Sequence, residues 1–451
     1  MSNDRWLIWA VAAGLFAGIA YSLSPLTVWA AVAFAVMLRA AGRGLSPDER
    51  VWFVRLVVLA FVLRIVAVAV LFLVSPHDSQ GSGILFGDEA YALTRSWRMR
   101  NVLLGVPQLK YDYMTAFEGY GRSNYLWVMT YIQMLVGPAP YGLRVVNTLL
   151  YIMAVVYLFH LTRAAFGPAP AFGGLVVLLF LPTLFFWSIS LLKESLYFVL
   201  TVLVLAAVVG GVRSRAWAVR AALAAVVVAG LWALRDLRDG GVVLAVSGLA
   251  LGFALLLITR RAWTAGVAVA TVLLALLAVA ARPALRQSFA ERIRPAVSAH
   301  AGHVFTVGHA YKLMDEGYYV NPVASPHEFD LTPAESARFV VRAVVSYFLV
   351  PLPWKVATNG ELTYLPEHLF WYALILLAPA GAIAGFRRDP LVTCLLIAYV
   401  LPTAAVVALT TGNVGTLIRH RTLIVPYLVW VSAVGFCVLM RRLLPRDGLA
   451  S

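Results

Sequence analysis

Apolar runs of ~20 residues recur along most of this 451-residue chain. Each is long enough to cross a hydrocarbon layer of ~30 Å. Inside lipid the backbone must satisfy its own hydrogen bonds, which leaves helices or closed barrels. The runs lack the alternating pattern of barrel strands. The fold class is therefore all-α, a polytopic transmembrane helical bundle. Composition agrees, with 62% hydrophobic and 13% charged residues. About twelve membrane helices are expected, at 6–23, 25–41, 52–75, 141–162, 170–189, 195–212, 217–234, 241–259, 263–281, 369–386, 391–411 and 422–440. Two apolar pieces are short and bounded by proline: 124–137, before Pro138 and Pro140, and 339–353, cut by Pro351 and Pro353. They are expected to lie at the interface or to re-enter. The chain divides into an N-terminal hairpin (1–50), a core (51–281) with a first outer loop (76–140), a second outer region (282–366) and C-terminal helices (367–451). The first run lacks a small-residue cleavage site and reads as a retained helix.

Net charge is +15. In a soluble protein that balance would suggest nucleic acid; here it fits arginine at cytoplasmic helix ends, and no nucleic-acid partner is expected. Placing Arg43, Arg163, Arg213, Arg215, Arg260, Arg261, Arg387, Arg388, Arg441 and Arg442 inside gives a consistent topology. Both termini are then cytoplasmic in the cell membrane, and both large polar stretches are outside. Cys394 and Cys437 lie in apolar runs and suit packing better than a disulfide. Arg64, within the third run, is expected to face the bundle interior and pair there.

This topology puts several charges at outer helix mouths. Asp88 and Glu89, followed by Tyr91, come soon after the run that ends near Val74. Lys193-Glu194, Arg235-Asp236 with Arg238-Asp239, and Arg419-His420-Arg421 share that side. A carboxylate there can take a proton from a hydroxyl. Guanidinium forks suit phosphate. Together they fit group transfer from a lipid-linked phosphate, whose departing anion needs cations around it. The plainer readings are a solvated acidic pair at 88–89 and an ion-pair cluster closing the turn at 235–239.

His300, His303 and His309 stand near Asp315 and Glu316, but this spacing is not a strong zinc pattern, and a polar acceptor-side loop fits better. Tyr311, Lys312, Tyr318 and Tyr319 suit contact with sugar or lipid phosphate, or a plain membrane interface. Lys110, Tyr111, Asp112 and Tyr113 carry the same two readings. Gly173-Gly174 and Gly210-Gly211 mark helix contacts or ends, since no nucleotide-binding fingerprint is present.

The order of elements resembles the GT-C superfamily of polytopic membrane glycosyltransferases, such as bacterial aminoarabinose transferases and protein O-mannosyltransferases. The likeness rests on the first outer loop with Asp88-Glu89 and Tyr91, and on the helix opening Tyr141-Gly142-Leu143-Arg144 and closing at Thr162–Gly167. It rests also on the outer turn Ser190–Ser195 and the late Arg419-His420-Arg421 before Pro426. It covers mainly 52–281. The resemblance implies a GT-C-like bundle with outer juxtamembrane helices, and an inverting transfer from a polyprenyl-phosphate-linked sugar donor to an acceptor hydroxyl on the outer face. The acceptor would be an envelope lipid, glycan or protein. It implies Asp88 or Glu89 as catalytic base, with Glu194 helping the site or a divalent cation. Lys193 beside Glu194 departs from the aspartate of many relatives and suits phosphate better, so no metal ligand is assigned. The extra hairpin at 6–41 is a second departure. Lys193, Arg235, Arg238, Arg419 and Arg421 are the expected phosphate contacts, with Tyr91, His420, Tyr311 and Lys312 as further candidates. The alternatives are an oligosaccharide polymerase or ligase built on the outer arginines, and a transporter or flippase for a lipid-linked sugar. Transporters usually show repeated halves and midplane polar residues, which this chain lacks.

Overall fold

The computed structural model describes residues 3–75, 85–119, 121, 123–138, 140–238, 240–306, 308–319, 331–356 and 358–443. Ala139 and Asp239, with residues 76–84 and 320–330, lie outside the described residues. The helices run in order α1 (Asn3–Leu23), α2 (Pro25–Ala41), α3 (Pro47–Val74), α4 (Gly87–Leu103), α5 (Lys110–Ala116), α6 (Asn124–Val136) and α7 (Pro140–Phe166). Then come α8 (Pro168–Phe180), α9 (Pro182–Ile189), α10 (Glu194–Arg213), α11 (Trp217–Arg235), α12 (Gly241–Thr259) and α13 (Ala262–Ala281). The last are α14 (Pro283–Val304), α15 (Pro333–Leu349), α16 (Asn359–Arg388), α17 (Pro390–Thr410), α18 (Val414–Arg421) and α19 (Val425–Leu443). No strand occurs among the described residues.

Helix starts follow local chemistry. Proline, with no N–H to lose, opens α2, α3, α9, α14, α15 and α17. Capping boxes close the first turns of α3 (Ser46 with Glu49) and α16 (Thr358 with Glu361). Glu49 also pairs with Arg163 on α7 at 2.7 Å.

Nine helices among the described residues are long and apolar enough to cross a membrane: α3, α7, α10, α11, α12, α13, α16, α17 and α19. The chain is a polytopic helical membrane protein. The expected single span 170–189 is broken: α8 and α9 meet at Pro182 with a 59° bend. Counted as one crossing, the pair makes ten. In the N-terminal hairpin the apolar stretches are shorter, Trp6–Ser22 within α1 and Pro25–Ala41. The pieces at 124–137 and 339–353 become α6 and α15, with 13 and 17 residues.

The chain forms two compact units, 1–164 with 172–242, and 165–171 with 243–451. In the first, α7 and α10 supply the core, with Tyr151, Ile152, Val155, Phe198 and Val202 buried. A Cβ at Gly230 of α11 would stand 2.5 Å from a Val204 methyl on α10, and one at Gly210 3.2 Å from Leu223. Gly210 thus marks a helix contact. In the second unit, α16 and α19 touch backbone to backbone. A Cβ on Gly381 would fall on the Val431 carbonyl oxygen, and one on Gly435 on that of Leu377. Cys394 is buried and Cys437 half-buried, both as thiols.

Candidate active site

Several buried polar side chains of the first unit meet around the turn that joins α9 to α10. Phe86, which precedes α4, stacks on Trp187 of α9 with ring centroids 3.9 Å apart. That contact sets the start of α4 and turns Glu89 inward. A carboxylate in a first turn is favoured by the helix dipole, but Glu89 is fully buried and needs more. It accepts hydrogen bonds from the Leu85 amide (2.9 Å), the Leu191 amide (2.7 Å) and both terminal nitrogens of Arg144 on α7 (3.3 and 3.0 Å). A carboxylate has about four acceptor sites, and all four are occupied. Desolvation of the buried pair is offset by this geometry.

The same turn is held from below. Arg144 also donates to the Ile189 carbonyl at 3.0 Å. Asn147, one helical turn on, donates to the Ser190 carbonyl (2.6 Å), the Leu192 carbonyl (3.2 Å) and the Tyr125 hydroxyl (2.8 Å). Arg64 of α3 donates to Ser188 Oγ at 2.7 Å, with its guanidinium over the rings of Phe185 and Tyr151. Arg64 therefore faces the interior, as its place in an apolar run suggested.

The clasp fixes what stands beside it. Asp88, the neighbour of Glu89 in the first turn of α4, is exposed. Lys193 is half-buried and opens α10, followed by Glu194. Arg238 lies 3.9 Å from Glu194 and over the Tyr197 ring. Arg238 thus ties the turn at 235–238 to α10. Arg235 and Asp236 are exposed, and the Asp236 carbonyl accepts from the Asn124 amide at 2.7 Å, which docks α6 on the same turn.

Further along α4, the Tyr91 hydroxyl donates to Glu118 (2.8 Å) and accepts from Arg95 (2.7 Å). Burial, and then the Glu118 carboxylate, push this phenol up from its usual range. Arg95 also grips the carbonyls of Ala116 and Glu118. Gly121, at φ +63°, lies so close that a Cβ would stand 3.2 Å from the Tyr91 ring. A small cavity of about 100 Å³ opens there, lined by Arg95, Phe117, Ser123 and Trp127 among others. Asp112 pairs with Arg98 at 2.7 Å, beneath Tyr111.

In the second unit, Arg421 is buried and its Nη2 is taken up by backbone. It donates to the carbonyls of Tyr347 and Val350, at the end of α15, and reaches His368 Nδ1 at 3.4 Å. Rings of Tyr347 and Trp371 cover it. Arg421 thus serves as a cap for α15, where a phosphate contact is expected from sequence. Arg419 and His420 are half-buried. The histidines expected in a loop are placed otherwise: His300 and His303 belong to α14, and His309 stands 3.8 Å from Glu361. His300 is enclosed by Tyr311, Tyr319 and Phe339, and burial lowers its pKa to about 4. Tyr311 donates to the Thr411 carbonyl, and Lys312 pairs with Glu316 over the Tyr319 ring. Tyr318 packs against the α14–α15 core. Among the described residues no three His, Cys, Asp or Glu side chains are grouped to hold a metal ion.

Compared with known proteins, the chain matches no family model, no curated protein and no solved structure. Sequence reasoning missed Asn147 and the joining of Glu89 to Arg144. The signal was available: Arg144, Asn147 and Thr148 put three polar groups on one face of an otherwise apolar helix.

Proposed function

We propose that this protein is an inverting glycosyltransferase that moves a sugar from a polyprenyl-phosphate donor to an acceptor hydroxyl on the outer face of the membrane. One observation carries the reading. Glu89 has all its acceptor sites filled, while its neighbour Asp88 stays at the surface, next to a turn held rigid for Lys193 and Glu194. Of the two acids, exposed Asp88 is the one we assign as the base. Its carboxylate accepts the acceptor hydroxyl's proton as the oxygen attacks the anomeric carbon. The bond from that carbon to the phosphate oxygen breaks, and the phosphate leaves with the electron pair. Lys193 and Arg235 supply cations for the departing anion. The arginine-centred polymerase or ligase reading is weakened because Arg421 is buried with its Nη2 on carbonyls and Arg238 stands beside Glu194.

The test is transfer by purified protein in detergent, with polyprenyl-phosphate sugars as donors and envelope extracts as acceptors. Asp88→Asn should lose about 10²- to 10⁴-fold in rate with its melting temperature kept. Full activity of that variant would sink the assignment of the base. Sugar movement that needs a sealed vesicle, without transfer in detergent, would favour a transporter.

A further inference from the structure

We infer that the cavity beside Arg95 is a pocket for the acetamido group of an N-acetylated sugar. The inference deepens the reading above and rests on it only for the sugar's role as acceptor.

The pocket forms where α4, the end of α5 and the start of α6 meet. Met99, Ala116 and Leu126 are buried in one apolar cluster, with Trp127 packed against it. These side chains, with Phe117, give the cavity apolar walls, and its volume is about 100 Å³. A cavity of ~150 Å³ holds a benzene, so about four heavy atoms fit here. An acetamido group has a nitrogen, a carbonyl carbon and oxygen, and a methyl.

Two polar side chains line the cavity, Arg95 and Ser123. Arg95 donates to the Tyr91 hydroxyl and to the carbonyls of Ala116 and Glu118, which fixes the wall. Ser123 differs. It is 7% exposed and has the extended backbone of an N-cap, with φ −152° and ψ 154°. A serine in that place ordinarily accepts from the second or third amide of its helix. Ser123 does not cap α6, and among the described residues its hydroxyl has no hydrogen bond. Leaving a buried hydroxyl unpaired is costly, and this one borders an apolar space. It can donate to an amide carbonyl or accept from an amide N–H. The acetyl methyl then lies against Met99, Ala116 and Leu126, and the amide plane against the Trp127 indole. Water is the plainer occupant. It needs roughly two to four polar partners, and Ser123 offers one hydroxyl among apolar walls.

The position suits an acceptor. Arg95 comes seven residues after Asp88, on the same face of α4 and about 10 Å along it. A disaccharide spans that gap, with its hydroxyl at Asp88 and its acetamido group in the pocket. The Asn124 amide, next to Ser123, donates to the Asp236 carbonyl at 2.7 Å. The pocket wall is thereby tied to the turn that carries Arg235.

The experiment is saturation-transfer NMR on the detergent-purified protein with three disaccharides. These are N,N′-diacetylchitobiose, cellobiose (a hydroxyl in place of each acetamido group) and the N,N′-dipropionyl analogue. Diacetylchitobiose should bind on the order of tenfold more tightly than cellobiose, from one buried methyl and one hydrogen bond. Its acetyl methyl should receive the strongest saturation, and the larger propionyl group should bind more weakly. Ser123→Ala should weaken diacetylchitobiose about two- to tenfold and leave cellobiose and the melting temperature unchanged. Ser123→Thr, which keeps the hydroxyl, should recover part of the loss. A purely structural Ser123 predicts the reverse: Ser123→Ala melts early and keeps the preference. That result, or equal binding of diacetylchitobiose and cellobiose, overturns the pocket. Propionyl binding as tightly as acetyl overturns the acetamido assignment. Transfer that depends on Asp88, without an acetamido preference in binding, would sink this inference alone. A preference that depends on Ser123 in a protein without transfer would sink only the proposed function.

Discussion

The two units each bury an arginine in a way that costs the chain an available cation, but they settle the charge differently. In the first, Arg144 meets the Glu89 carboxylate, and the pair together stitches α4 and α7 to the 188–194 turn. In the second, Arg421 meets backbone oxygens at the end of α15, beneath two aromatic rings. The first arrangement is a neutral ion pair that needs both partners. The second leaves a net positive charge inside the unit, supported by carbonyl dipoles and ring faces. The difference shows that an arginine near a polar helix end says little by itself about phosphate. What decides is whether its donors already have oxygens.

The comparison can be broken at either clasp. Glu89→Gln should have the largest effect, because it leaves Arg144 buried without its counter-charge. A loss of about 3–5 kcal/mol is expected, read as a lower melting temperature and reduced yield from membranes. Replacing both residues by leucine and methionine should cost less than the two single changes summed. Arg421→Lys keeps the charge but not the fork, and should cost about 1.5–3 kcal/mol. If that variant melts with the native chain, charge alone, without the fork, holds α15. The smallest effect is on pH. His300 in the second unit titrates near 4 when folded, against 6.5 in the open chain. The unfolded chain thus binds the proton more readily, and stability is complete above 6.5 and declines as pH falls towards 4. At pH 5 the loss is on the order of 2 kcal/mol. His300→Phe should flatten melting temperature against pH; an unchanged slope would assign it to another group.

Much of the frame was legible because lipid permits few solutions. Apolar runs located the helices, and Arg64 pointed inward because a charge in such a run has nowhere else to go. The bend at Pro182 was missed although the proline is visible, because the run 170–189 keeps its hydropathy across the break. The site was less legible. Asp88 and Glu89 are neighbours of the same charge, and the partners that hold Glu89 inward, Arg144 and the Leu191 amide, lie far along the chain. Arg419 and Arg421 look equivalent in sequence, yet they are two residues apart on a helix and so point in different directions. His303 was grouped with His300 and His309 by spacing, whereas its partners are Thr410 and His420, more than a hundred residues away.

The glycine crossing of α16 and α19 has a consequence for biosynthesis. Chains emerge from the ribosome amino end first, and α16 is made before α17, α18 and α19. Until α19 enters the membrane, the groove at Gly381 has only lipid against it, and no side chain elsewhere can substitute for a backbone surface. The second unit therefore closes late, after the first has all its helices in the bilayer. A chain interrupted between Thr410 and Val425 would leave α16 with an unfilled face at Gly381.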